Sequence, residues 1–297
     1  MTSGNSPTVP FGGRLRAAMD QAGPLCAGID PHAGLLADWN LPDTVAGLEA
    51  FTMRCVEAFA GVVACVKPQS AFFERHGSAG VAVLERALAA LREAGTLCIL
   101  DVKRGDIGST MEGYAQAYLG PESPLRADAI TLSPYLGYGS LRPVLDLAAA
   151  TGRGVFVLAL TSNPEGASVQ HARARDGMSV AASVVAGVQH DNAAAARRGE
   201  LGSVGMVVGA TVGTAVADLG LDLAAANAPL LAPGVGAQGG TAADLRTVFG
   251  AALPAVLAAS SREVLRAGPN VTALRTQAGD TAQSLREMLG NYGGQTR

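Results

Sequence analysis

Lysine is nearly missing from this chain: of 22 basic residues, 20 are arginine and two, Lys67 and Lys103, are lysine. Charge of either sign is scarce. Asp, Glu, Lys and Arg make up 16% of the 297 residues, against about 25% in an average globular protein. Apolar residues reach 48%, which excludes disorder as the main state and allows a sizeable core. A net charge of −3 offers no basic surface to nucleic acid. No apolar run approaches the roughly 18–20 residues of a membrane span. The opening MTSGNSPTVPFGGRL lacks both the basic and the apolar region of a signal peptide. Cys26, Cys55, Cys65 and Cys98 form no CxxC and have no nearby His spacing, so they read as buried, reduced thiols. His32, His76, His171 and His190 show no metal spacing and read as surface or loop residues, so no metal is expected. A cytoplasmic globular protein is the expectation.

What is present is a repeated alternation. Apolar runs at Pro24–Asp30, Val63–Gln69, Thr96–Lys103, Ala129–Pro134, Gly154–Thr161, Val204–Thr211, Leu230–Gly236 and Val256–Ser261 are each followed by a loop and a helical pattern. They are apolar on both alternating faces, as parallel strands covered on two sides require. Ala79–Ala94 has helical spacing and ends at Gly95, the residue type favoured just past a helix. Gly139–Ala150 should start a helix near Ser140, with Pro143 in the first turn. Eight such units in about this length predict an α/β fold, a single-domain (β/α)8 TIM barrel. An open doubly wound sheet is the runner-up, and no GxGxxG follows the first strand to support it. The expected organisation is a tail over 1–12, a barrel over 13–290 and a tail over 291–297. The fifth βα unit is enlarged by the polar stretch Ser162–Gly177 and the charged stretch Gln189–Glu200.

Barrels of this type build their sites at the C-terminal strand ends, and the unusual residues fall there. Asp30 ends the first strand and Lys67 the second. Asp101 and Lys103 end the third, with Asp106 just after. Thr131 and Ser133 end the fourth and Thr161 the fifth. Gly234 and Gly236 end the seventh, followed by Gln238, and Arg262 follows the eighth. Strand periodicity puts Asp101 and Lys103 on one face, within reach of Lys67. Asp106 folds over the site or reaches into a partner subunit. Such an alternating Lys–Asp–Lys–Asp array can pair with itself, as buried charge must. Lys103 between two carboxylates should stay protonated near neutral pH, a poor Schiff-base nucleophile but a good proton donor. The glycine-rich stretch APGVGAQGG (232–240), with Gln238 and the following Arg262, suits a phosphate. Ser109 and Thr110 read as helix caps, and FFERHG (72–77) as loop and helix-start packing.

Six blocks carry a resemblance: GIDPH (28–32), VKPQSAFFERHG (66–77), LDVKRGDIGST (100–110), TLSPYLGYGSL (131–141), LTSN (160–163) and APGVGAQGG (232–240). With them the chain resembles the orotidine 5′-phosphate decarboxylase family, the longer bacterial type, from about residue 15 to 268. The family's DxKxxD signature falls on Asp101, Lys103 and Asp106. The resemblance implies a decarboxylation of orotidine 5′-monophosphate to UMP and CO2 in pyrimidine synthesis, using no cofactor and no metal. It implies that Lys103 protonates the C6 carbanion and that Asp101 lies against the substrate carboxylate. Lys67 and Asp30 would bind ribose hydroxyls, Ser140 the pyrimidine, and Gln238 and Arg262 the phosphate, with Thr161 near the site. Asp106 and Ile107 would come from the partner of a homodimer. Gly236 and Ser261 stand where many members carry Arg and Gly.

Three other readings stay open on the residues alone. A Mg2+-dependent sugar-phosphate decarboxylase or hexulose-phosphate synthase would share the barrel and the signature. A Lys Schiff-base aldolase would be trapped by borohydride. A non-catalytic nucleotide-binding barrel would bind UMP without turnover, and its mark would be a broken Asp–Lys–Asp set, which here is intact.

Overall fold

The computed structural model describes residues 9–235 and 240–290. The eight apolar runs become eight parallel strands. They are β1 (Leu25–Ile29), β2 (Cys65–Pro68), β3 (Leu97–Arg104), β4 (Ala129–Leu132), β5 (Gly154–Leu160), β6 (Val204–Val208), β7 (Leu230–Pro233) and β8 (Val256–Ser260). They close in sequence order, β1 pairing in parallel with both β2 and β8. The chain is a (β/α)8 barrel in one domain, and no open edge remains to support a doubly wound sheet.

Helices follow seven of the strands at length: Val45–Phe59, Gly77–Glu93, Gly108–Leu119, Arg142–Ala150, Val180–Arg197, Ala242–Phe249 and Val271–Gly290. After β6 there is only the single turn Ala215–Asp218, bracketed by Gly213 and Gly220 in left-handed conformations that interrupt a helix. Gly95 has φ +67° just beyond the end of Gly77–Glu93, the backbone state that stops a helix. Pro143 sits in the first turn of Arg142–Ala150, which a 3-10 turn, Tyr138–Leu141, precedes. Ser109 and Thr110 do not cap. They lie inside Gly108–Leu119, whose N-cap is Ile107, a side chain with no acceptor. His32 is not a bare surface residue, since its ring accepts the Leu35 N–H and caps Ala33–Asp38. His76 is also largely enclosed, with Nε2 buried. In the fifth unit, Ser162–Gly177 is a long connection carrying two short helical turns. Most of Gln189–Glu200 is the last part of Val180–Arg197.

Two apolar shells follow from strand alternation. Outward residues such as Ala27, Val66, Leu100, Ile130, Val155 and Val157 pack under the helices. Inward residues Cys26, Cys65, Leu97, Ile99, Ala129, Phe156, Val207, Leu231 and Leu257 fill the barrel. The four cysteines are free and buried, and burial pushes the thiols of Cys55, Cys65 and Cys98 well up.

The N-terminal mouth is plugged by the helix Phe11–Ala22, so residues 11 and 12 belong to an element and not to the expected tail. Phe11, Leu15 and Met19 recur every four residues and enter the inner shell. Phe11 meets Phe156 edge-on at 6.0 Å, a geometry worth about 0.5–1.5 kcal/mol beyond burial. Gly12 is required there, because a Cβ would lie 2.2 Å from the Leu201 carbonyl oxygen.

Candidate active site

Inward parity places the charges. Ile99 faces the barrel interior, so Asp101 and then Lys103 continue that face upward at the C-terminal mouth. Cys65 faces inward on β2, so Lys67 does too. Cys26 faces inward on β1, which puts Gly28 and Asp30 on the same rim. These residues line one cavity of about 350 Å3 over an apolar floor of Leu158, Val207, Leu231 and Ala259.

The end of β3 is not a regular strand. Leu100 pairs with Ile130 and Arg104 with Leu132, so β3 spends two more residues than β4 over the same stretch. Lys103 takes φ +45°, a left-handed state that costs a non-glycine residue of order 1–2 kcal/mol. Thr131 holds the bulge. Its Oγ1 accepts the Val102 N–H at 3.0 Å and the Lys103 N–H at 2.9 Å, and it donates to Asp101 Oδ1 at 2.8 Å. One hydroxyl thus uses its full capacity of one donor and two acceptors. It replaces the ladder bonds that the bulge loses.

Asp101 is the hub. Lys103 Nζ donates to Oδ1 at 2.6 Å and Lys67 Nζ to Oδ2 at 3.0 Å. Burial alone would raise the Asp101 carboxyl, but Lys67 and Lys103 outweigh it and bring it down to about 2. Burial likewise pulls the Lys67 ammonium down, and the Asp101 and Asp30 carboxylates override this and hold it above its ordinary range. Lys67 is 9% exposed, a fixed buried cation. The Lys103 side chain remains 44% exposed, an ammonium that points into the cavity while anchored on one side.

Asp30 lines the cavity, and its buried Oδ1 has no protein hydrogen-bond partner. A Cβ at Gly28 would lie 2.8 Å from that of Ser261, so glycine there lets the chain leaving β8 close against β1. Thr161 lines the cavity and is clamped from the long fifth connection. Gln170 donates to its Oγ1 at 2.7 Å and accepts its N–H at 2.9 Å. Gly234, with φ +94°, and Arg262 complete the far wall beside Ser260, Ser261 and Glu263.

Of the residues expected at the site, Lys103, Asp101, Lys67, Asp30, Thr161, Gly234 and Arg262 line this one cavity. Asp106, Ile107 and Ser140 do not. Asp106 turns back to accept the Ile107 N–H at 2.8 Å, and Ile107 is 61% exposed. Ser140 donates to the Gly137 carbonyl at 2.8 Å. Among the described residues the carboxylate bonded to Lys103 is that of Asp101. Gln238 and Gly236 lie outside the described residues. Sequence reasoning missed Gln69, Gln170, Ser260 and Glu263, and gave Thr131 no more than a strand-end position. Parity from Ala129 would have pointed Thr131 inward; nothing in the sequence marks Gln170. Among the described residues no three or more His, Cys, Asp or Glu side chains are grouped as a metal would need. No helix there is long and apolar enough to cross a membrane.

Residues 23–277 match the family model described as Orotidine 5′-phosphate decarboxylase / HUMPS family. The orotidine 5′-phosphate decarboxylase of Salinispora arenicola is 63% identical over 268 residues, 90% of this chain and 94% of the relative. That of Streptomyces coelicolor is 60% identical over 280 residues, 93% of this chain and 97% of the relative. A crystal structure from Streptomyces avermitilis superposes with a TM-score of 0.91 at 56% identity, covering 98% of this chain and 99% of that one. The structure of Leishmania donovani OMP decarboxylase gives 0.71 at 29% identity, over 95% of this chain and all of that one.

Proposed function

The chain belongs to the orotidine 5′-phosphate decarboxylase / HUMPS family, and from that premise we propose that it converts orotidine 5′-monophosphate to UMP and CO2 in pyrimidine synthesis. The observation that carries this reading is the Lys67–Asp101–Lys103 array lining a nucleotide-sized cavity.

The C6 carboxylate leaves as CO2, and the electron pair of the broken C–C bond stays on C6. The Lys103 ammonium, held by Asp101, stabilises that charge and transfers a proton to C6, and the resulting amine regains a proton from solvent. A preorganised cation in a water-poor site is worth far more than one in bulk water. Asp101 cannot take up the proton, because Lys67 and Lys103 keep its carboxyl down at about 2. Lys67 and Asp30 address the ribose hydroxyls. Thr161 borders the site from the β5 side. Gly234, Gln238 and Arg262 receive the phosphate. Phosphate binding away from the reacting carbon supplies energy for orientation at the ring. These steps need neither metal nor organic cofactor.

The working unit in this reading is a homodimer that draws Asp106 and Ile107 from each partner. Ile107 at 61%, Tyr135 at 81% and Leu136 at 54% exposed support it. They stand on the loops after β3 and β4, which touch through the Ser133 N–H and the Arg104 carbonyl at 2.8 Å. Exposed apolar side chains gathered beside a site mark an interaction surface. The reading also places the protein in the cytoplasm, consistent with four buried free thiols.

The test is turnover of orotidine 5′-monophosphate by purified protein in EDTA, followed by loss of orotate absorbance. Rapid turnover is expected, nearly abolished by Lys103→Ala. Full activity in that variant, or activity lost to EDTA, would overturn the mechanism. Mixing Asp101→Ala with Asp106→Ala subunits should restore part of the activity, since one hybrid site keeps both carboxylates. No recovery would refute the shared site.

A further inference from the structure

We propose that the N-terminal end of the barrel carries a second binding site, for a small phosphoryl anion such as pyrophosphate, built from Arg14, Arg92, Arg126 and Arg153. These four arginines line a cavity of about 250 Å3 with Leu88, Cys98, Ala127, Asp128 and Thr151. Asp128 immediately precedes β4, Arg153 immediately precedes β5, and Cys98 lies at the start of β3. The cavity is therefore at the end of the barrel opposite Lys103, and shares no residue with the catalytic cavity.

The charges there do not balance. Asp128 is the only acidic residue in the lining, and both its oxygens are engaged. Oδ1 takes Arg14 Nη1 at 2.5 Å and Oδ2 takes the Cys98 N–H at 3.0 Å. The other three guanidiniums reach only backbone carbonyls. Arg92 donates to Leu88 and Arg126, Arg126 to Ser123, and Arg153 to Ala127. None of the three is ion-paired among the described residues; Asp128 and the exposed Glu93 act on Arg92, and Asp128 on Arg153, only at longer range. The segments outside those residues, 1–8, 236–239 and 291–297, contain no Asp or Glu. A bound anion would supply the compensating charge.

Two further observations agree. Arg14 Nε and Arg153 Nε are buried with no hydrogen-bond partner, although buried donors are normally satisfied. Burial lowers the affinity of Arg92 and Arg153 for their protons, and the neighbouring arginines add to it against the opposing pull of Asp128. A guanidinium presents five N–H donors in a planar fork that matches phosphate oxygens in pairs. One or two backbone carbonyls use only a fraction of them. The cavity is smaller than the roughly 300–1,000 Å3 of pockets for drug-sized ligands. It suits one or two phosphoryl groups, free or at the end of a nucleoside triphosphate whose remainder stays outside.

The experiment is thermal unfolding of the full chain with inorganic phosphate, pyrophosphate or ATP, each against NaCl at equal ionic strength. Pyrophosphate at about a hundred times its Kd should raise Tm by roughly 5 °C. A larger rise with ATP would identify a nucleotide tail as the source, and an equal or smaller one the free anion. The rise should persist in Arg262→Ala, which disables the phosphate end of the catalytic cavity, and shrink severalfold in Arg92→Gln and in Arg126→Gln. Broadening of the pyrophosphate 31P resonance by wild type, absent with these variants, reads binding without relying on their stability. No rise beyond the NaCl control, an undiminished rise in both Gln variants, or loss of the rise in Arg262→Ala would each overturn the proposal.

Discussion

Thr131→Val tests whether one hydroxyl holds the reacting ammonium in place. The substitution keeps the shape of a side chain that is 1% exposed and removes three hydrogen bonds at once. Two of them satisfy the N–H groups of Val102 and Lys103. Leaving a buried donor unpaired costs about 1–3 kcal/mol, and a bond to a charged partner such as Asp101 is worth about 1.5–3 kcal/mol. Part of this returns when the strained turn at Lys103 relaxes, about 1–2 kcal/mol. Taking the middle of these ranges, the net loss is about 5 kcal/mol. At roughly 2–4 °C per kcal/mol for a domain of this size, Tm should fall by roughly 10–20 °C. The relaxed turn moves Lys103 Nζ, and a misplacement near 1 Å can cost about 100-fold in rate. In a steady-state assay with orotidine 5′-monophosphate, kcat should drop by about that factor while KM, set by the ribose and phosphate ends, changes little. Thr131→Ser keeps the oxygen and should keep most of kcat. A Thr131→Val enzyme with wild-type kcat and Tm would refute the assignment. So would a Thr131→Ser enzyme as slow as the Val variant.

Asp101 should show its charge in acid. Its folded pKa, about 2, lies below the ordinary 3.8. The stability it contributes is thus fully present above the unfolded value and lost as pH falls through the folded one. That linkage is worth about 2 kcal/mol. The stability gap between wild type and Asp101→Asn, measured by denaturant unfolding, should be flat above about pH 5 and shrink towards pH 2; a gap independent of pH would contradict the pairing. Gly154→Ala puts a Cβ 2.2 Å from Cδ1 of the Phe11 ring, and overpacking of this kind costs about 1–3 kcal/mol or more. Tm should fall while kcat at room temperature holds, because the clash is at the plugged end; an unchanged Tm would show the plug to be soft. Gln170→Leu removes two of the three bonds that hold Thr161, leaving its hydroxyl donating to Asn163 Oδ1. It should raise KM more than it lowers kcat, and a change in kcat alone would place Thr161 at the chemistry.

The strands were legible because a parallel barrel buries both faces of each one, leaving continuous apolar runs. The charged part of the site was legible because inward parity carries Ile99 through Asp101 to Lys103. Other features had no local signal. The spacing of Phe11, Leu15 and Met19 marks a helix face, but Phe11 and Gly12 fell inside the expected tail over 1–12. Gly12 is there for a contact with Leu201, a residue distant in sequence. The bulge at Val102–Lys103 is set by how far β3 advances against β4, which no single-strand pattern encodes. Asp106, Ile107 and Ser140 lie close to site residues along the chain, yet they do not line the cavity. Gln170 reaches Thr161 only because the fifth connection folds back.

The scarcity of lysine and its placement have one physical cause. Arginine ties the periphery together by reaching distant carbonyls. Arg14 bonds Gly152, Arg16 bonds Pro254, Arg275 bonds Glu57 and Arg286 bonds Gln21. A wide fork with several donors suits that work, and its permanent charge does no harm there. At the mouth of the barrel the requirement reverses. Two cations share the two oxygens of one carboxylate at the edge of the cavity, which takes compact ammonium groups. In the proposed reaction one of them also releases a proton to carbon and recovers it, which a guanidinium, a far weaker acid, does not do. Both lysines of the chain line that cavity. Bulk, donor geometry and proton affinity together explain why arginine serves everywhere else and fails there.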